Sequence, residues 1–388
     1  MNFFARFIFI AFSAVSLSFV SCRKAEAART ELVFGTVCTV NAFDDGTEEL
    51  YDSLFERLHS LDEKFSTSKP NSEIEKINAA AGKTAVEISD EVLFVLKIAL
   101  SFAEVTDGAF DPTVGPLVKL WGINTENARV PEQWEIDKAL KLVDWSLVKI
   151  EGNKVFLPAE GMRLDLGGIV KGYAADVLAF MIKKAGIKRA VIDLGGNIYV
   201  TGKKKDRSLW RVGVKNPQNP EHSTAVTLSL PENSVVTSGV YERFFIKDNI
   251  RYHHIINPKT GYPVDNGLTS VTIVSKSSTA CDALSTSLFI LGMEKGFALI
   301  ELLEKQNLPA AGIAAEKKAD STDGMGMWLF GSGAVNDDGF ENPVKLTAAG
   351  LPFAEKAEGM SGTFNALYID SENYMYSTED LKRCFGKL

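Results

Sequence analysis

Two short stretches carry the residue types needed to handle a charged phosphate. The first is Asp165-Leu166-Gly167-Gly168-Ile169-Val170-Lys171-Gly172-Tyr173-Ala174-Ala175-Asp176. It reads as a strand end, a glycine turn and a helix start with a lysine at the mouth. Apolar residues recur at Val170, Tyr173, Ala174, Val177, Leu178, Met181 and Ile182. That spacing is helical, and Gly186 closes it where a left-handed cap is favoured. Free N–H groups at a helix start attract anions, and glycine lets a ligand approach the backbone. Lys171 lies off the apolar stripe. The stretch reads either as an anion-binding mouth or as an ordinary strand–turn–helix joint. The second stretch places Asp282, Ser285 and Thr286 at i, i+3 and i+4, one face of a helix. Carboxylate and hydroxyl oxygens suit Mg²⁺, which takes few protein ligands beside waters and substrate phosphates. Serine and threonine inside helices also bond back to preceding carbonyls, so this pattern has a structural reading too.

Weaker signals surround these two. His254 lies in His253-His254-Ile255-Ile256-Asn257-Pro258-Lys259-Thr260-Gly261, a short strand followed by a tight turn. A histidine there can contact phosphate, move a proton or serve the turn itself. Asp107-Gly108-Ala109-Phe110-Asp111-Pro112-Thr113 combines a turn, an aromatic ring and two carboxylates. Asp193-Leu194-Gly195-Gly196-Asn197 and Thr237-Ser238-Gly239 read as small-residue turns. No GxxxxGK[ST] occurs, and no GxGxxG opens a βαβ unit, which excludes the P-loop and Rossmann motifs.

The elements that must position these residues follow from periodicity. Glu31 to Phe43 reads as a strand interrupted at Gly35-Thr36. A helix is predicted from Glu48 to Phe65, with Leu50, Leu54, Leu58 and Leu61 on one face, and another from Asp90 to Thr106-Asp107-Gly108. A short helix begins near Ser72. Strands are expected near 190–193, 198–201, 210–215, 225–230, 234–237, 244–246 and 270–274. A helix follows from Thr279 to Leu291, and a final strand pair lies within Phe364 to Ser377. This order predicts α+β rather than a regular βαβ repeat.

Composition narrows the class. The chain has 388 residues, 45% of them hydrophobic, enough for one large domain or two joined lobes. Its formal charge is −8, with no basic stripe, which argues against nucleic acid as a partner. Arg6 precedes an apolar run, Phe7 to Val20, that is too short to span a bilayer and fits a secretory leader. Ser21-Cys22 follows, predicting a lipoprotein signal over residues 1–21 with Cys22 acylated. Plain secretion with cleavage between Ala25 and Ala28 is the alternative. Residues 22–30 read as a polar stalk and 31–388 as the folded domain, with an irregular insertion at about 317–362. Cys38, Cys281 and Cys384 lack CxxC spacing, so neither a zinc knuckle nor a redox pair is indicated.

Taken in order, Phe34-Gly35-Thr36, Gly108 to Pro112, Asp165 to Asp176, His254 to Gly261 and Cys281 to Leu288 closely resemble the ApbE-type family of FAD:protein FMN transferases. The resemblance spans Val33 to Leu303 and resumes from Phe364 to Phe385. It implies a single α+β, two-lobed, T-fold-related domain with FAD in the cleft. It implies FAD contacts from Phe34, Ser68, Ala109, Phe110, Asp111, Asp165, Lys171 and Ile256. It implies Mg²⁺ on the Gly168 carbonyl, Asp282 and Thr286, with Ser285 a weaker addition, and Asp282 or His254 assisting the nucleophile. FMN would pass from FAD to a threonine hydroxyl of a client protein, such as a redox-driven membrane pump subunit, with AMP released. Water in place of threonine would give FMN and AMP. The implied location is a lipid anchor in the bacterial envelope, facing the periplasm. A flavin-storing lipoprotein without chemistry and a solute-binding lipoprotein are the competing classes. Three departures stand out: Phe34 replaces a usual methionine, Asn257 a usual aspartate, and Ser68 a tyrosine that packs against FAD in many members. The last predicts weaker retention of intact FAD and a larger share of hydrolysis.

Overall fold

The computed structural model describes residues 28–305, 364–382 and 384–385. The leader, Cys22 and the 317–362 insertion lie outside these residues, as do the expectations that rest on them.

An antiparallel sheet organises the molecule. Its strands are β1 (Arg29–Val33), β2 (Thr36–Asn41), β6 (Arg189–Leu194), β7 (Asn197–Gly202), β10 (Asn233–Gly239), β13 (Leu268–Ser275), β14 (Asn365–Asp370) and β15 (Met375–Ser377), adjacent in that order. The single interrupted strand expected from Glu31 to Phe43 is instead the β1–β2 hairpin. Phe34 and Gly35 both take positive φ, 54° and 66°, the handedness that suits a two-residue hairpin turn. Gly195 and Gly196 do the same between β6 and β7.

Helix α1 (Glu48–Phe65) buries Leu54, Leu58 and Leu61, the face expected from their spacing. It is followed by α2 (Glu73–Ala79) and α3 (Asp90–Val105), each with a serine N-cap, Ser72 and Ser89. Helices α6 (Val170–Lys184) and α7 (Ser278–Leu291) pack against each other and on the large sheet. Both supply residues to the principal core with α1 and α3. Gly186 follows α6 at φ 78°, as its sequence position suggested.

A second core joins the ribbon β8 (Trp210–Lys215) and β9 (Thr224–Leu230) to the large sheet through Val212, Leu228, Val235 and Leu367. The third is small. Trp121 of α4 (Gly115–Trp121) and Ile136 of α5 (Gln133–Leu140) gather Ile256 and Tyr262 with the hairpin β11 (Phe244–Lys247) and β12 (Ile250–His253). Helices α4 and α5 and strand β12 carried no local signal strong enough to be read from sequence. They are short, and their stability rests on contacts such as Trp121 Nε1 donating to the Gly261 carbonyl at 2.8 Å. The remaining elements are a sheet of β3 (Val86–Glu87), β4 (Lys149–Glu151) and β5 (Lys154–Phe156), with α8 (Met293–Lys305) and α9 (Glu379–Lys382). Cys38, Cys281 and Cys384 are each free.

Candidate active site

The start of α6 and the middle of α7 meet face to face. Asp282 is 3% exposed, and its Oδ2 accepts the backbone N–H of Gly172 at 2.9 Å. Its Oδ1 stands 3.7 Å from Lys171 Nζ, which also donates to the Gly167 carbonyl at 3.3 Å. A Cβ built on Gly168 would lie 3.6 Å from Thr286 Oγ1 and 3.1 Å from Phe110 Cε2. Gly168, Lys171, Asp282, Thr286 and Phe110 therefore form one cluster, although 110 positions of chain separate Gly172 from Asp282.

Ser285 is different. Its hydroxyl donates to the Asp282 carbonyl at 2.9 Å and meets Ser238 Oγ at 2.8 Å. The back-bonding reading holds for Ser285, whereas Thr286 Oγ1 has only a longer 3.3 Å contact to Ser238. Ser238 lies in the last residues of β10, a strand rather than the turn expected at Thr237-Ser238-Gly239.

The glycine turn is braced by Asp165, whose Oδ1 accepts the Gly167 N–H at 2.8 Å and whose own N–H donates to the Pro112 carbonyl at 2.8 Å. That second bond seats the Ala109-Phe110-Asp111 segment beside the turn. Burial raises the Asp165 carboxyl pKa against the lowering effect of Gly167 N–H and nearby Arg243. Burial also raises Asp111, whose oxygens accept Thr113 N–H at 2.7 Å, Thr113 Oγ1 at 2.6 Å and Trp145 N–H at 3.3 Å. In this arrangement Asp111 orders its own loop. Ala109 and Phe110 are buried, and Phe110 meets Phe102 edge-on at 6.3 Å.

His254 is half-buried behind Arg243. Its Nδ1 lies 3.3 Å from the Arg243 carbonyl, an acceptor, so this nitrogen carries the proton and Nε2 the lone pair. Burial, then the charges of Arg243, His253 and Lys171, push the imidazole down from 6.5 to about 3. The folded protein thus keeps His254 neutral while the unfolded chain takes up a proton below about pH 6.5. Its contribution to stability is present above that pH and is lost as pH falls towards 3. We expect His254→Gln to flatten the decline of the urea midpoint between pH 6.5 and pH 4. An unchanged slope would show that the imidazole is not held neutral.

Arg243 was not singled out by sequence. Nothing local marks it, because its role comes from three distant segments. Its Nη2 donates to the Phe34 carbonyl at 3.5 Å, its carbonyl accepts His254 N–H at 3.1 Å, and its charge reaches Asp165. Asp176 was in the opening stretch without a role. Its carboxylate accepts Ser278 N–H at 2.9 Å, Thr279 N–H at 2.9 Å and Thr279 Oγ1 at 2.6 Å, capping α7 from α6.

Other expected residues sit apart. Ile256 is buried in the third core and bridges to Pro263. Ser68 is exposed in the loop after α1, where its contacts are with Ser66. Asn257 closes its turn: its Oδ1 accepts Lys259 N–H at 2.8 Å. Among the described residues no three His, Cys, Asp or Glu side chains gather as a metal cluster. A carboxylate and a hydroxyl on α7, with a carbonyl in the turn before α6, are donors of the kind that suits a hard cation keeping most of its waters.

The fold and the site define a mixed α+β domain in which a glycine turn packs on an oxygen-bearing helix. The chain belongs to the ApbE family, whose model matches residues 34–311. It is 35% identical over 322 residues to a FAD:protein FMN transferase of Treponema pallidum, covering 78% of this chain and 88% of the relative. It is 37% identical over 259 residues to one of Klebsiella pneumoniae, covering 66% and 80%. The fold is similar to that of the ApbE protein from Thermotoga maritima, with a TM-score of 0.72 at 28% identity over 93% of this chain and 99% of that one.

Proposed function

We propose that this chain is a FAD:protein FMN transferase that moves FMN from FAD to a threonine hydroxyl of a client protein. The observation that carries the reading is the junction of α6 and α7, where Gly172 N–H holds Asp282 and Gly168 faces Thr286. The names of the relatives support the same activity.

In the proposed reaction the acceptor hydroxyl oxygen bonds to the FMN phosphorus. The bond from that phosphorus to the bridging pyrophosphate oxygen breaks, and AMP leaves with the electron pair. The hydroxyl proton passes to Asp282 or to His254 Nε2, the lone-pair nitrogen. Lys171 stabilises the charge developing on the phosphate oxygens, while the Val170 and Gly172 N–H groups at the start of α6 are given to the Leu166 carbonyl and to Asp282. Asp282, Thr286 and the Gly168 carbonyl would hold Mg²⁺, which when bound neutralises phosphate charge. Phe110 lines the site from behind the glycine turn. Water reaching the same position yields FMN and AMP, and Ser68, in place of an aromatic platform, favours that side reaction through looser retention of FAD. The protein works at the envelope, facing the periplasm from a lipid on Cys22.

The decisive experiment incubates the protein with FAD and Mg²⁺, with and without a threonine-bearing acceptor protein. AMP together with covalent FMN on the acceptor is the expected result. AMP without acceptor labelling indicates a hydrolase, and no AMP under either condition leaves a flavin-binding protein. Within this reading Thr286→Val should raise the Mg²⁺ concentration for half-maximal rate about tenfold or more, whereas Ser285→Ala should change it by less than about threefold. Equal effects of the two substitutions would remove the distinction between ligand and back-bonded serine.

A further inference from the structure

The proposed reaction builds negative charge on phosphate oxygens, and Lys171 meets it from α6, held between the Gly167 carbonyl and Asp282 Oδ1. A second cation reaches the site from a different part of the fold. Arg243 immediately precedes β11, at the open end of the β11–β12 ladder where Phe244 pairs with His253. Its backbone is pinned there, because its carbonyl accepts the His254 N–H at 3.1 Å and faces His254 Nδ1 at 3.3 Å. From that fixed origin the side chain extends to the β1–β2 turn, where Nη2 donates to the Phe34 carbonyl.

Two observations separate Arg243 from an arginine that only braces the fold. Its donors are mostly unused. The guanidinium offers five N–H groups and makes one bond, at a long 3.5 Å. Among the described residues no carboxylate stands within ion-pair distance of it, and the adjacent Glu242 is taken by Lys215 at 3.3 Å. Arg57, Arg129 and Arg163, by contrast, are paired with Glu91, Glu135 and Glu75. Its charge also falls on the site. Of the charges acting on the Asp165 carboxyl and on the His254 imidazole, that of Arg243 is the strongest on both, ahead of Lys171. A half-buried guanidinium without a paired anion therefore stands close to the carboxylate that braces the glycine turn and to the imidazole that carries a lone pair. Such a group is poised for an anionic ligand, because pairing offsets the cost of its partial burial.

We infer that Arg243 is a further catalytic residue, whose guanidinium grips the non-bridging oxygens of the transferred phosphoryl group, on the FMN side of the pyrophosphate. This rests on the reading that FAD is split at its pyrophosphate. The FMN side follows from the bond to His254, one of the two groups to which the hydroxyl attacking that phosphorus passes its proton. Arg243 itself neither gives nor takes a proton. Its planar fork matches two oxygens of one phosphoryl group and holds them as the bond to the bridging oxygen breaks and AMP leaves with the electron pair.

The test follows AMP release from FAD and Mg²⁺ by the unsubstituted protein, Arg243→Met and Arg243→Lys, with FMN and AMP added as inhibitors. We expect kcat to fall about a hundredfold or more in Arg243→Met while the FAD KM changes by less than about fivefold. Inhibition by FMN should weaken about tenfold or more, and inhibition by AMP should stay within about twofold. If the methionine variant melts lower, Arg243→Lys carries the same comparison, since it keeps the charge and loses only the fork. An arginine that merely holds the Phe34 turn predicts a lower melting temperature with kcat retained in the folded protein. That pattern overturns the assignment, and so does equal weakening of FMN and AMP or weakening of AMP alone. Variants as active as an active unsubstituted protein remove Arg243 and leave the reaction standing. If the unsubstituted protein itself releases no AMP, the reading of the reaction falls and the role of Arg243 falls with it.

Discussion

Asp282→Ala is expected to lower FMN transfer by about a thousandfold, the rate equivalent of about 4 kcal/mol of lost transition-state charge stabilisation. The substitution removes the only carboxylate in the cluster formed with Gly168 and Thr286. It also strips Gly172 N–H of its acceptor in a buried setting, which costs about 1–3 kcal/mol of stability. The two effects separate in Asp282→Asn, which keeps an oxygen for Gly172 N–H but loses the charge. That variant should recover most of the urea midpoint without recovering AMP release. Undiminished turnover in either variant would sink the assignment of Asp282 to the chemistry.

Gly172→Ala should destabilise the protein by about 2 kcal/mol or more, contrary to the usual sign for this exchange in a helix. Alanine is the better helix former by about 1 kcal/mol, so an unpacked helix would gain from it. Here a Cβ would stand 2.2 Å from the Ser278 carbonyl oxygen and 2.7 Å from Asp282 Cβ. Neither atom is the end of a flexible side chain, so α7 must move away from α6. Overpacking of this kind costs about 1–3 kcal/mol and outweighs the propensity gain. The same displacement pulls Asp282 and Thr286 from the glycine turn, so FMN transfer should fall with stability. Urea unfolding checks the first effect and AMP release the second. A variant as stable as the unsubstituted protein would show that the two helices tolerate separation.

The α6–α7 junction has a further brace with its own pH signature. Asp176 on α6 caps α7, yet burial raises its carboxyl to about 6, with the Thr279 and Ser278 bonds opposing the shift. A carboxyl raised in the folded state binds its proton more readily there than in the unfolded chain. It therefore stabilises the fold least above pH 6 and progressively more as pH falls towards its ordinary range, opposite in sign to His254.

Much of this molecule was legible along the chain because the signals are short-range. Apolar spacing and N-caps set α1, α3 and α7 within a residue or so of their observed ends, and Gly186 marked the end of α6. The same locality explains the failures. Gly35-Thr36 looked like an interruption of one strand, whereas the hairpin turns at Phe34-Gly35, and a phenylalanine at positive φ is not an ordinary turn signal. Helices α4 and α5 exist through their packing around Trp121.

For the site, residue types and order alone determined the chemistry that the chain can attempt: a glycine turn with a lysine, and a helix face of oxygens. Family resemblance joined these parts in expectation. Tertiary structure alone decided that Gly172 lets the helices touch, that Ser285 is bonded back while Thr286 faces Gly168, and that Arg243 links Phe34 to His254. Those outcomes depend on which distant segments lie within a few ångströms of one another, and close contact between remote parts of a chain leaves no periodicity for a sequence to carry.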